Sequence, residues 1–364
     1  MTVSADRRSD AVRVARVVGI LGVVYVHAWT GLTGPQLDAI RGTWQDDLRW
    51  VLMEVFGRSA VPLLGVISGW LVAGSSRIRD WREHIGRKAR TILLPMVLWN
   101  AIALLLVCSA AVLFDLKAPL PQSAWWVVEE LFVLTRNPDI NVQMPFLRDL
   151  FVCMVAAPIL VRAPSPALLG VAALAVLVQI FALGWPVLLR PAILAFFTLG
   201  ILARRTEMAE RVAALPLIVA LVPFTLLLAV KIVAETRGAA FLTTPTGAAL
   251  DLAQRLAAAV ALWRLSWVLA ASPLRDGVLR IEPCAFLLFC AHLILIWLFG
   301  PMIGQLTGPL GSPLYPIYLV LQPVLVLGAT LLLAAALTRL APRAASVLSG
   351  GRLRGTPAAP APRG

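Results

Sequence analysis

Apolar runs long enough to cross a bilayer follow one another along this chain with little between them, and they leave few folds open. They cover residues 14–32, 53–73, 92–114, 146–162, 167–184, 188–203, 213–233, 247–270, 284–301 and 315–338. Each run is continuous rather than alternating, so it reads as a helix and not as a barrel strand, whose pattern has a period of two. With 60% hydrophobic and 14% charged residues and a mean hydropathy of +0.85, a soluble domain of 364 residues has no use for so much apolar surface. The expected fold is all-α, a polytopic transmembrane helical bundle of about ten spans filling residues 1–340. A basic tail over 341–364, rich in Pro, Ala, Gly and Arg, is expected to be disordered. No internal repeat or soluble domain is visible.

Charge sets the expected orientation. A net charge of +13 would suggest nucleic acid in a soluble chain. Here the arginines lie in short loops between apolar runs, where the positive-inside rule accounts for them. Arg7 to Arg16, the 77–90 loop, Arg162, Arg204 to Arg211, Arg275, Arg280 and the segment from Arg339 share one side if both termini are cytoplasmic. Trp29, Trp44, Trp50, Trp125, Trp126 and Trp185 then fall near outer helix ends, as an aromatic belt does. The first apolar run follows Arg7, Arg8, Arg13 and Arg16 without a small-residue cleavage site, so it is expected to stay as a helix. Cys108, Cys153, Cys284 and Cys290 lie in apolar runs with no zinc or redox spacing, and read as small core residues; no metal site is expected.

The chemistry begins in the first run, where ten residues separate Arg16 from His27. Eleven helical steps come back to nearly the same face, about 16 Å further along. A permanent cation near one membrane surface and an imidazole deeper on that face suit a site that grips an anionic carrier and moves a proton. Three more stretches stand out: Val61-Pro-Leu-Leu-Gly-Val-Ile-Ser68-Gly69-Trp70, Arg87-Lys88-Ala89-Arg90 before Thr91-Ile-Leu-Leu-Pro95, and Pro145-Phe-Leu-Arg148-Asp149-Leu-Phe.

Taken in order, these stretches resemble the membrane-bound acyltransferase-3 family, integral enzymes that O-acylate glycans and other hydroxylated molecules. The family pattern places an arginine ten residues before a histidine in the first helix, a Pro…Ile-Ser-Gly-aromatic run in the second, and an Arg-x-x-Arg pair before the third. Arg16/His27, Val61–Trp70 and Arg87/Arg90 occupy those places, and Phe196-Phe-Thr-Leu-Gly200 and Phe286-Leu-Leu-Phe-Cys-Ala-His292 look like later landmarks. The resemblance covers residues 10 to about 300. It implies acyl transfer, with acetyl as the expected group, from acyl-coenzyme A as the donor substrate to a hydroxyl of a carbohydrate or lipid-linked glycan, in a bacterial cytoplasmic (inner) membrane. The implied catalytic residues are His27, Asp149 and His292; the implied donor-binding residues are Arg13, Arg16, Arg87 and Arg90. Family members often carry an Asp three residues before the arginine, where this chain has Arg13. Asp10-Ala-Val-Arg13 has the Asp-x-x-Arg form one turn earlier, so either Arg13 or Arg16 meets the donor.

Each residue also has a plainer reading. His27 is either the base that deprotonates a hydroxyl or a helix-end histidine near the outer surface. Arg87, Lys88 and Arg90 are either topology anchors or phosphate ligands at a helix start. Ser68-Gly69 marks close helix packing. Asp149 either pairs with Arg148 or orients the imidazole or the acceptor. His292 is either functional or a hydrogen-bonded core residue. Glu54 is a further acidic candidate, and His84 is expected to be solvated in its basic loop. The competing function is a secondary transporter with Arg255, Arg264 and His292 along its path, which repeats and paired broken helices would favour.

Overall fold

The computed structural model describes residues 5–28, 30, 32, 34–58, 60–184, 187–236, 241 and 243–353, and these form helices and connecting turns with no strand. In order they are α1 (Ala5–Val26), α2 (Gly34–Ala39), α3 (Trp44–Val51), α4 (Ala60–Ala73), α5 (Trp81–Lys88), α6 (Leu94–Phe114), α7 (Ala124–Phe132), α8 (Pro145–Leu160) and α9 (Ser165–Ile180). They continue with α10 (Ala192–Arg205), α11 (Met208–Ala214), α12 (Leu217–Thr236), α13 (Pro245–Leu269), α14 (Arg275–Ile281), α15 (Ala285–Thr307), α16 (Tyr315–Leu340) and α17 (Pro342–Leu348). Two π-helical segments, Leu52–Gly57 and Ala89–Leu93, join α3 towards α4 and α5 to α6.

Each of the ten expected spans overlaps a helix among the described residues. Among the described residues five helices are long and apolar enough to cross a membrane: Trp44–Ala73, Trp81–Phe114, Leu217–Glu235, Arg275–Thr307 and Tyr315–Leu340. The others fall short for visible reasons. α8, α9 and α10 have 16, 16 and 14 residues, or roughly 21–24 Å against a hydrocarbon core of about 30 Å. α1 and α13 carry charges that the bundle, not lipid, must satisfy. The protein is an integral membrane protein built as an all-helical bundle.

α15 is the central post. From Ala285 to Ile294 every residue on it is buried, which a helix tolerates only when neighbours surround it. α1 packs on α4, α13 and α15. Its contact with the first π-helical segment is backbone-close: a Cβ on Gly22 would collide with the carbonyl oxygen of Phe56. α4 and α10 meet the same way. A Cβ on Gly69 would collide with the carbonyl oxygen of Phe197, and one on Gly200 with that of Val66. Ser68-Gly69 therefore does mark close helix packing, which holds helices together where lipid offers no hydrophobic gain; the Ser68 hydroxyl turns back to Leu64 O at 2.7 Å.

The tail departs from expectation. Disorder was expected from residue 341, but Pro342–Leu348 is helical, Ser349 is fully buried, and Leu353 packs into the core. The reason is a tertiary anchor that composition does not show: the Trp99 indole donates to Leu348 O at 3.0 Å. Residues 354–364 lie outside the described residues, as do Trp29 and Trp185 of the expected belt. Trp44 and Trp125 are exposed as a belt requires. Trp126 is not a belt residue, because it is buried with its Nε1 on Asp139 at 2.7 Å.

Candidate active site

A cavity of about 490 Å³ opens among α1, α4, α5, α8, α15 and residues 350–352. Its walls carry four cations, Arg16, Arg87, Lys88 and Arg352, against one carboxylate, Glu282. Glu282 is already engaged by two arginines of α1. Its Oε1 lies 3.1 Å from Arg16 Nη1 and its Oε2 lies 3.6 Å from Arg13 Nε. Arg13 also faces Asp10, which Arg275 clamps at 2.6 Å. Of the two candidates on α1, then, Arg16 lines the cavity, while Arg13 belongs to an ion network beside it. Among the described residues no carboxylate lies within ion-pair distance of Arg87, Lys88 or Arg352.

Arg87 and Arg90, both expected to bind the donor, are separated. Arg87 lines the cavity and Arg90 is exposed outside it. Arg90 lies in the π-helical segment that begins at Ala89; its wider turn disrupts the spacing that makes i and i+3 neighbours in an α-helix. His84 is a second correction. It is 1% exposed rather than solvated, with Nε2 3.1 Å from Met154 O, and it ties α5 to α8 at the cavity wall.

Ile20, Phe146 and Phe289 add an apolar part to the cavity wall. Beyond Phe289 stand two histidines. His292 is completely buried, and its ring centre is 6.1 Å from that of Phe289 and 5.4 Å from that of His27. α1 ends at Val26, so His27 sits in the turn that follows, half-buried, with its backbone N–H on Val24 O at 3.1 Å. His292 Nδ1 lies 2.8 Å from Phe289 O and 3.2 Å from Leu288 O. Carbonyls only accept, so this geometry assigns the hydrogen to Nδ1. Nε2 is then a bare lone pair, buried and without a partner. Arg190 is close enough for its charge to act on His27.

Asp149, expected beside the imidazole, is engaged elsewhere. Its buried carboxylate accepts the backbone N–H groups of Arg190 at 2.7 Å and Leu189 at 3.3 Å, and pairs with Arg148 at 2.6 Å. It clamps the turn that carries Arg190 and reaches the histidines only through that residue. The three residues expected along a transport path each have a separate anchor: Arg255 pairs with Asp251 at 2.7 Å, Arg264 donates to Leu215 O at 2.6 Å, and His292 faces His27.

The reading by sequence missed one large feature. Lys231, 1% exposed, lies 2.6 Å from Glu54 and 2.7 Å from Asp251, and Arg58 closes on Glu54 at 2.9 Å. A single lysine inside the apolar run 217–236 was the available signal. Among the described residues no group of His, Cys, Asp and Glu is arranged to hold a metal.

Residues 9–339 match the family model of the acyltransferase domain. The chain is 29% identical to the succinoglycan biosynthesis protein ExoH of Rhizobium meliloti (strain 1021), over 94% of this chain and 92% of that protein. No solved structure matches it.

Proposed function

This chain belongs to the acyltransferase-3 family and is an acyltransferase for groups other than amino-acyl groups, and we propose that it moves an acyl group, acetyl in the first instance, from acyl-coenzyme A to a glycan hydroxyl. The observation that carries this reading is the cation-lined cavity whose wall residue Phe289 lies against His292, which in turn lies against His27. The phosphates of the donor sit at Arg16, Arg87 and Lys88, and the thioester reaches past Phe289. His27 removes the proton from the acceptor hydroxyl, and the oxygen attacks the thioester carbonyl. The carbon–sulfur bond breaks, and the departing thiolate recovers the proton from His27. His292, held in one tautomer by the Phe289 and Leu288 carbonyls, packs its ring against the His27 ring and positions it by that contact. Asp149 acts at one remove by fixing Arg190. Transfer is direct, with no acyl group held on the protein. The glycan class of the acceptor is supported by the name of the succinoglycan relative.

We place the protein in a bacterial cytoplasmic membrane with ten crossings and both termini inside. Contacts that join expected same-side segments support this. Arg8–Glu210, Arg16–Glu282 and Arg275–Asp10 gather on one side, and Gln45–Ser312 with Lys231–Glu54 on the other. The test is coenzyme A release from acetyl-coenzyme A by purified protein given a glycan acceptor. Wild-type protein should release the thiol, and His27→Ala should lose about a hundredfold or more in rate, the low end for removing a general base. A well-folded His27→Ala protein working near the normal rate would return His27 to a structural role.

A further inference from the structure

The segment after α16 does not trail away; it returns to the bundle and delivers a guanidinium into the cation-lined cavity. Trp99 ties α17 down, and the buried Ser349 hydroxyl accepts from Leu353 N at 2.9 Å. Between these two anchors the chain turns at Gly350 and Gly351, with φ of +60° and +83°. Side chains other than glycine rarely adopt that region. At Gly350 the approach is also too close for a Cβ, which would collide with the carbonyl oxygen of Thr91. The paired glycines therefore press the chain against the stretch that carries Arg87 and Lys88. Arg352 emerges from this turn with its guanidinium 4.1 Å above the Phe286 ring and one nitrogen on Ser349 O at 3.0 Å. Stacking holds the planar fork in place, and Arg352 there forms part of the cavity wall.

The electrostatics ask for an anion. The charges of Arg87, Arg352 and Arg16 bear on Lys88, that of Arg16 bears on Arg352, and Glu282 pairs with Arg13 and Arg16. Burial first, and then the like charge of Arg16, push the Arg352 guanidinium down to about 10, which leaves it charged at neutral pH. Four like charges gathered around one carboxylate are unfavourable until a further counter-charge arrives.

We infer that Arg352 binds a phosphate of the acyl donor, so that the ordered C-terminal segment is a wall of the donor site. This rests on the acyl-coenzyme A reading above. The test compares two thioesters on the purified full chain: acetyl-coenzyme A, and S-acetylpantetheine, which has the same thioester and no phosphate. Arg352→Gln should raise the KM for acetyl-coenzyme A about tenfold, the scale of one charge-assisted phosphate contact. The same variant should change the KM for S-acetylpantetheine by about twofold or less. Arg352→Lys, which keeps the charge but not the fork, should fall between. Inorganic pyrophosphate should inhibit the wild type more strongly than Arg352→Gln. An unchanged KM for acetyl-coenzyme A in Arg352→Gln, or an equal loss on both thioesters, overturns the inference while leaving the donor reading intact. If the wild type consumes neither thioester, the donor reading itself fails and the inference falls with it.

Discussion

Two regions of this bundle concentrate charge, and they handle it in opposite ways. In the cluster around Lys231, each carboxylate is met by cations: Glu54 by Lys231 and Arg58, and Asp251 by Lys231 and Arg255. These pairs bind the first π-helical segment to α12 and α13. In the cavity of Arg16, Arg87, Lys88 and Arg352, the single carboxylate, Glu282, pairs with Arg16, and among the described residues the other three have no carboxylate within ion-pair distance. The first arrangement is complete within the chain and acts as a fastener. The second is incomplete until something anionic enters. Whether charges inside a membrane protein are satisfied from within separates structural ion clusters from ligand sites better than their number does.

The sharpest way to break this contrast is to unbalance the fastener. Lys231→Met leaves Glu54 buried beside Arg58 alone, and removing one partner of a buried pair costs on the order of 3–5 kcal/mol. The expected result is a clear drop in melting temperature or loss of monodisperse protein, with partial recovery when Glu54→Gln is added. A Lys231→Met protein that melts like the wild type would show that the cluster does not fasten the helices.

The cavity should respond in kinetics, not stability. Arg87→Ala combined with Lys88→Ala should raise the KM for acyl-coenzyme A about tenfold or more with kcat lowered less, as expected when remote ground-state contacts are lost and donor dissociation is fast. His292→Ala should give a smaller loss than His27→Ala, read as a fall in kcat with the donor KM nearly kept. Arg90→Ala, outside the cavity, should stay within about twofold of wild type in both parameters. Equal KM effects at Arg87 and Arg90 would mean that the π-helical segment does not divide them.

The contrast also explains what could be read without coordinates. The apolar runs announced an all-helical bundle, because helix-length apolar stretches are written in composition, but only five of the described helices reach bilayer length. Arg16, Arg87, His27 and His292 were all named from the sequence, and the structure brings the first two to one cavity and the last two into ring contact. Arg90 was misplaced because a π-helical insertion changes the face of a residue without leaving a pattern in the sequence. Arg352 was invisible because Pro, Ala, Gly and Arg read as disorder, whereas order there comes from Trp99, far away in the chain. His84 was assigned to solvent for the same reason; its partner, Met154, is on another helix. Lys231 was legible and passed over, since averaging hydropathy across a span hides one charge within it.

The most direct measurement is the binding of acetyl-coenzyme A to purified protein at increasing salt, for wild type, Arg87→Ala/Lys88→Ala and Arg90→Ala. Wild type and Arg90→Ala should bind alike, with affinity falling as salt rises. The double variant should bind about tenfold or more weakly, with a shallower salt dependence. Equal binding by all three proteins, or no binding by a folded wild type, would contradict the assignment of the unpaired cations to the acyl donor.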